Sequence, residues 1–189
     1  RTEWQLTADT LVILYSGNMG QKQGLEILIE GARLLQAEQR FQFVLCGEGA
    51  ARATLQQQAD GLQNVHFYPL QPVERLNELL NTADIHVLTQ RANAADLVMP
   101  SKLSGMLASG RPVVATAQPG TELASVIDQV GILIPPDNPF DLVQALQKLA
   151  YQPDLRQQLG NRGRAYALAH WDKESVLNNL NQEVESLCQ

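Results

Sequence analysis

Six short apolar runs, set between stretches of helical spacing, constrain this chain more than any other feature. Leu11-Val12-Ile13-Leu14-Tyr15-Ser16 shows no polar alternation and ends at Gly17, the pattern of a strand covered on both faces. Leu25, Leu28, Ile29, Ala32 and Leu35 then recur at the spacing of one helix face. Phe41–Cys46 is the second run, closed by Gly47-Glu48-Gly49, and a polar helix is predicted over Ala50–Asp60. Val65–Tyr68 follows, then a helix opened by Pro72 with Leu76, Leu79 and Leu80 on its face, then Ile85–Leu88. An irregular segment, Thr89 to Met99, leads to a short helix from Pro100. The strand Pro112–Thr116, a helix over Glu122–Ile127 and a last strand at Gly131–Ile134 complete the alternation.

The remainder reads as helix. Asn138 is placed to cap and Pro139 to occupy the first helical position. Leu142, Ala145, Leu146 and Leu149 form the inward stripe of that helix. Pro153 opens another, and Asp172 caps a last one carrying Val176, Leu177, Leu180 and Val184 on one face. Strands alternating with helices predict an α/β fold, a Rossmann-like doubly wound parallel sheet with helices on both faces. Ligands in such folds sit outside the carboxyl ends of the strands. The segments there are Gly17–Gln23, Gly47–Gly49, Pro69–Gln71, Thr89–Lys102 and Ala117–Glu122.

Composition removes several classes. The 189 residues suffice for one core and show no linker or repeat, so one domain over 1–189 is expected. A net charge of −6 without a basic stripe argues against nucleic acid as a partner. Cys46 lies in an apolar run and Cys188 in the tail, which gives no disulfide framework and fits a reducing, cytoplasmic setting. No run is long enough to span a membrane, and no signal peptide is visible. The start at Arg1-Thr2-Glu3-Trp4 is that of a fragment of something longer. No metal-ligand spacing occurs, so no metal is expected. His66 and His86 fall at strand positions and read as structural; His170 and Trp171 read as packing residues at a helix junction.

One segment points to a ligand. Met99-Pro100-Ser101-Lys102-Leu103 reads as a helix start, where first-turn N–H groups and the helix dipole favour an anion. Lys102 adds a cation. In an α/β chain this suggests a nucleotide-linked ligand.

Several motifs occur in a telling order. They are Tyr15-Ser16-Gly17-Asn18-Met19-Gly20-Gln21-Lys22-Gln23-Gly24, then Gly47-Glu48-Gly49, then Ala83-Asp84-Ile85-His86-Val87. Ala108-Ser109-Gly110-Arg111-Pro112-Val113-Val114-Ala115, Glu122 and Gly131 follow. On these the chain resembles the C-terminal, sugar-donor-binding half of a family 4 glycosyltransferase with the GT-B fold. It is most similar to enzymes of bacterial surface-polysaccharide assembly, including colanic-acid-type transferases. The resemblance implies a retaining, metal-independent transfer from a nucleotide-diphosphate sugar, which is substrate rather than cofactor, to a saccharide or lipid-linked acceptor. It assigns contacts with that sugar nucleotide to Gly17, Asn18, Gly20, Lys22, Gly47, Leu70, Pro100, Ser101, Leu103 and Glu122, and catalytic roles to Lys102 and Asp96. It also implies an N-terminal acceptor domain outside this sequence, against which the helices of about 153–189 pack. An acceptor at the membrane surface would place the whole protein peripherally at the inner face.

The chain departs from the family in two places. The family's second glutamate falls where this chain has Gly105, and Asp96 is the nearest acid upstream. In the first loop Asn18 and Gln23 stand where relatives carry a basic pair, leaving Lys22 and Lys102 as the cations. Three readings stay open: a rewired site, an altered sugar donor, or an inactive, scaffold-like relative. A nucleotide-sugar epimerase of the same architecture is a fourth. Each residue also has a plain structural reading: a tight turn for Gly17 and Gly20, a solvated helix start for Ser101 and Lys102, a loop acid for Asp96, a first-turn acid for Glu122.

Overall fold

The computed structural model describes residues 1–94 and 99–172. The chain runs β1 (Leu11–Ser16), α1 (Glu26–Leu34), β2 (Phe41–Cys46), α2 (Arg52–Gln58), β3 (Val65–Tyr68), α3 (Leu76–Thr82) and β4 (Ile85–Leu88). It continues through α4 (Lys102–Ala108), β5 (Val113–Thr116), α5 (Glu122–Val130), β6 (Ile132–Ile134), α6 (Pro139–Tyr151) and α7 (Pro153–His170). All six strands pair in parallel, in the order β3-β2-β1-β4-β5-β6. The chain therefore steps outward from β1 to β3, returns to lay β4 beside β1, and steps outward again. In doubly wound sheets the crevice lies at such a reversal, which here is between the loops leaving β1 and β4.

Period-two geometry explains why β1 needs an unbroken apolar run. Leu11, Ile13 and Tyr15 face a core shared with α1 and α6, while Val12 and Leu14 face a second core with Leu79 and the amino-terminal Leu6. A third core gathers Leu103, Met106 and Leu107 of α4 with α5 and β5. Each fully buried leucine or isoleucine contributes about 1.5–3 kcal/mol. The Asn138 cap forms as its sequence implies: Oδ1 accepts from the N–H groups of Phe140 and Asp141. No helix among the described residues is long and apolar enough to cross a membrane.

Of the boundaries that differ from the sequence expectation, three have a clear local reason. The helix expected from Pro72 begins as a three-residue 3-10 turn, Val73–Arg75, and turns α-helical only at Leu76. In so short a helix Leu79 points inward, and Leu76 stays 46% exposed. β5 starts at Val113 because Pro112 has no N–H to place in the ladder, although its carbonyl accepts from His86 at 2.9 Å. α5 runs on to Val130, which is buried, and Gly131 closes it by donating to the Ile127 carbonyl.

α7 packs on α4, α5 and α6. Gly160 and Gly163 permit this, since a Cβ at Gly160 would stand 2.1 Å from the Gly110 carbonyl oxygen. Asp96, Cys188 and the segment expected to form a last helix, with Val176, Leu177, Leu180 and Val184, lie outside the described residues.

Candidate functional site

The crevice at the β1–β4 junction is built first from backbone. The loop leaving β1 lies along the loop leaving β2: Gly17 N–H donates to the Cys46 carbonyl, Met19 N–H to Glu48, and Ala51 N–H to Met19, at 2.9, 2.7 and 2.8 Å. Gly47 makes this approach possible. It holds φ at +152°, and a Cβ there would stand 1.9 Å from the Gly17 carbonyl oxygen. The Gly-Glu-Gly signal thus has a steric cause.

Tyr15 and Lys102 supply the chemistry. Tyr15, at the carboxyl end of β1, is fully buried, and its hydroxyl donates to the Asn18 carbonyl at 2.5 Å. Lys102, the first residue of α4, reaches to the carboxyl end of β1. Its Nζ sits 4.1 Å from the centroid of the Tyr15 ring. A Cβ on Gly17 would be 3.8 Å from that same nitrogen, so the ammonium stands over the first loop. Burial pulls the Lys102 ammonium down from its ordinary range to about 8. Among the described residues no carboxylate pairs with it. An ammonium that is partly stripped of water and unpaired by acid attracts an anion strongly.

Arg91, in the loop leaving β4, straps the other side of the crevice. Its N–H donates to the Lys22 carbonyl at 3.0 Å, its Nε to Gln21 at 2.8 Å, and its Nη2 to Glu26 at 2.7 Å. Ala92 N–H points at Asp137 Oδ2, 3.4 Å away. Neither Tyr15 nor Arg91 stands out in the sequence as a site residue. A tyrosine is the only aromatic in its apolar run, and a lone arginine ends at an irregular segment; neither signal is specific.

The expected residues divide by position. Gly17, Asn18, Gly47 and Lys102 come together around the first loop. Gly20 donates its N–H to Gln23 Oε1 at 3.0 Å, closing the turn that carries the exposed Lys22. Pro100 and Ser101 precede α4, and the Ser101 side chain makes no capping bond. Leu103 offers less than expected: its side chain is fully buried, and its N–H is already taken by the Pro100 carbonyl at 2.9 Å. Glu122 is exposed in the first turn of α5, where Thr121 does the capping. Leu70 is 66% exposed beyond β3. Gly105 lies on the side of α4 that meets α3, and a Cβ there would touch Leu80 at 3.3 Å.

The histidines serve structure. His86 is fully buried with Nε2 3.1 Å from Ser109 Oγ, and burial pushes its imidazolium down to about 3, leaving it neutral. His66 Nε2 lies 2.6 Å from Gln42 Oε1. Trp171 packs edge-on to Tyr166. Among the described residues no group of three His, Cys, Asp or Glu side chains could hold a metal ion.

Comparison with known proteins agrees with this geometry. Residues 10–152 match the family described as glycosyl transferases group 1. The chain is 35% identical over 189 residues to WcaI of Escherichia coli (strain K12), whose name places it among colanic acid biosynthesis glycosyl transferases; the match covers 97% of this chain and 45% of WcaI. It is 27% identical to the alpha-D-kanosaminyltransferase of Streptomyces kanamyceticus, over 91% of this chain and 45% of that protein. The chain thus spans less than half the length of these relatives. Among solved structures, Anabaena Alr3699/HepE in complex with UDP superposes with a TM-score of 0.83 at 17% identity, over 98% of this chain and 51% of that one. Sucrose-phosphate synthase of Thermosynechococcus elongatus superposes with a TM-score of 0.80 at 23% identity, over 99% and 48%. The parallel sheet, the glycine-built crevice and the match across most of the strands and helices place this chain in the group 1 glycosyl transferase family.

Proposed function

We propose that this chain is the sugar-donor half of a retaining, metal-independent glycosyltransferase of surface-polysaccharide assembly. Its substrate is a nucleotide-diphosphate sugar, and its acceptor is a saccharide or a lipid-linked saccharide presented by a second domain over the crevice. The observation that carries this reading is Lys102 Nζ, held above Tyr15 and beside Gly17. Relatives and neighbours support the substrate class: HepE was solved with UDP-glucose, and a Corynebacterium glutamicum relative is a GDP-mannose-dependent mannosyltransferase.

In the transfer, the bond between the sugar's anomeric carbon and the diphosphate oxygen breaks, and the electron pair leaves with the diphosphate. The acceptor oxygen bonds to the anomeric carbon and gives its proton to the departing phosphate. Negative charge therefore grows on the diphosphate as the bond stretches. Lys102 meets that charge in a partly desolvated site, where a fixed cation needs little reorganisation. Lys22 adds a second cation across the Arg91 strap, and Gly17, Asn18 and Gly47 let backbone approach the phosphates. Asp96 keeps its sequence-based assignment to hydroxyls of the transferred sugar, and Glu122 and Leu70 mark the outer limits of the site.

Gly105 favours one other reading, a non-catalytic relative that retains only the fold. Two experiments decide. Calorimetry of this chain with UDP-, GDP- and ADP-sugars is expected to show binding to one of them; no heat at millimolar ligand sinks the proposal. A transfer assay on the full-length protein is expected to detect product in the wild type and a large loss in Lys102→Ala, whereas a scaffold yields no product in either.

A further inference from the structure

The opposite edge of the sheet carries a second concentration of positive charge. Arg1, Arg33, Arg40, Arg52, Arg75 and Arg91 each pair with a carboxylate. Arg111, Arg156, Arg162 and Arg164 pair with none among the described residues, and Arg111, Arg156 and Arg164 line one cleft. The cleft lies where β4 and β5 begin, far along the strands from the β1–β4 crevice. In a chain of net charge −6, a cleft with three uncompensated arginines needs a reason.

Packing fixes its walls. The contact of Gly160 with the Gly110 carbonyl sets the first turns of α7 against the turn that ends α4. Arg156 Nη1 donates to the Leu149 carbonyl at 2.7 Å, and Arg164 Nη1 to the Ala108 carbonyl at 3.1 Å. Those bonds tie down the ends of α6 and α4, yet each uses one of the five N–H groups of its guanidinium. A capping role leaves Arg111 unexplained: its Nε is buried without a hydrogen-bond partner. Asp84, the acid in the cleft, is already engaged by Arg1 at 2.6 Å and by the Val12 N–H at 2.8 Å.

We propose that the cleft of Arg111, Arg156 and Arg164 binds a phosphate monoester dianion, at a site separate from the β1–β4 crevice and independent of its function. Planar guanidinium forks match phosphate oxygens in pairs, and three unpaired charges suit a multiply charged phosphate better than a carboxylate.

The test is NMR titration of the isotopically labelled chain with inorganic phosphate, read at the amides of Gly110, Arg111 and Asn161. Saturable shifts are expected there, and they persist in Lys102→Ala, which removes the crevice cation. Arg156 and Arg164 also hold helix ends, so the main variant is Asn161→Glu, which adds a carboxylate on the exposed cleft wall. Affinity is expected to weaken about tenfold in it. Vesicles of phosphatidylcholine with and without phosphatidic acid form the second arm. Cosedimentation with the phosphatidic acid vesicles alone, lost in Asn161→Glu, assigns the phosphate to a lipid headgroup. Shifts with soluble phosphate and no vesicle binding assign it to a free phosphate monoester. Absence of saturable shifts at these amides together with no vesicle binding, or equal affinity in Asn161→Glu and wild type, overturns the proposal.

Discussion

The two edges of the sheet gather positive charge by different means. At the carboxyl edge a single ammonium, Lys102, lies over the Tyr15 ring, and burial draws it down to about 8. At the amino edge, three guanidiniums stand around a helix junction, two of them bonded to helix-end carbonyls. A guanidinium stays charged at any pH a protein survives, so the amino edge offers fixed charge. The buried lysine is adjustable: an arriving anion restores the charge that burial disfavours. Adjustable charge suits a step in which negative charge appears and leaves, and fixed charge suits a standing anion.

The largest expected effect tests whether Lys102 is chemical or merely packed. In the full-length protein Lys102→Ala is expected to lower kcat by about a hundredfold or more, the usual loss on removing one preorganised group aimed at developing charge. KM should change less. Steady-state transfer kinetics measure both. An unchanged kcat breaks the comparison, because the carboxyl edge would then hold an ordinary surface cation.

Next comes the backbone at each edge. Gly47→Ala forces a Cβ to 1.9 Å from the Gly17 oxygen, at a φ that alanine avoids. It is expected to destabilise the chain by about 3 kcal/mol or more. Gly160→Ala gains helix propensity of about 1 kcal/mol, but its Cβ would meet the Gly110 oxygen at 2.1 Å, so the net effect is expected to be destabilising by about 2 kcal/mol. Gly61→Ala has no atom within 4 Å of the new Cβ and only its φ of +79° against it, so about 1 kcal/mol is expected. Urea unfolding measures all three. Equal losses at Gly47 and Gly61 would show that the first loop yields, and that the crevice is not rigid.

These glycines also show what the sequence could and could not reveal. Gly47 and Gly49 were legible because a glycine pair after an apolar run is a local signal. The six strands were legible for a similar reason: an unbroken run such as Val12-Ile13-Leu14 leaves no solvent face. Tyr15 and Arg91 were not. Their roles depend on partners distant in sequence, Lys102 for one and Gln21, Lys22 and Glu26 for the other, brought together only when β4 is laid beside β1. Leu103 shows a different limit of a local signal. Its place at a helix start suggested a free N–H, but a helical Ser101 lets the Pro100 carbonyl accept that proton.

The pH dependence separates the edges further, with opposite signs for folding and binding. Folding holds the Lys102 pKa near 8, against 10.5 ordinarily. The unfolded chain therefore binds more protons between those values, and this residue makes stability rise with pH across that window. Below pH 8 the full penalty of the buried charge is present. Binding runs the other way, since a diphosphate prefers the protonated lysine. Affinity for the sugar nucleotide is expected to fall about tenfold for each pH unit above the free-protein midpoint, until the bound-state value is reached. Calorimetry in buffers of differing ionisation enthalpy should detect proton uptake on binding. At the amino edge, burial holds His86 neutral to about 3, so its contribution to stability is lost as pH falls from 6.5 toward that value.

The smallest effect asks what sets Lys102. Tyr15→Phe removes the hydroxyl that donates to Asn18 but keeps the ring beneath the ammonium. A loss of about 1 kcal/mol in stability is expected, with the midpoint of the binding pH profile unmoved. Tyr15→Leu removes the ring as well. A charge over an aromatic face gains about 0.5–1 kcal/mol, so the lysine midpoint is expected to move lower by about half a unit. A midpoint that rises in Tyr15→Leu would mean that water has entered beside Lys102. Burial rather than the ring would then govern the cation, and the adjustable charge at this edge would belong to the packing around Lys102 rather than to Tyr15.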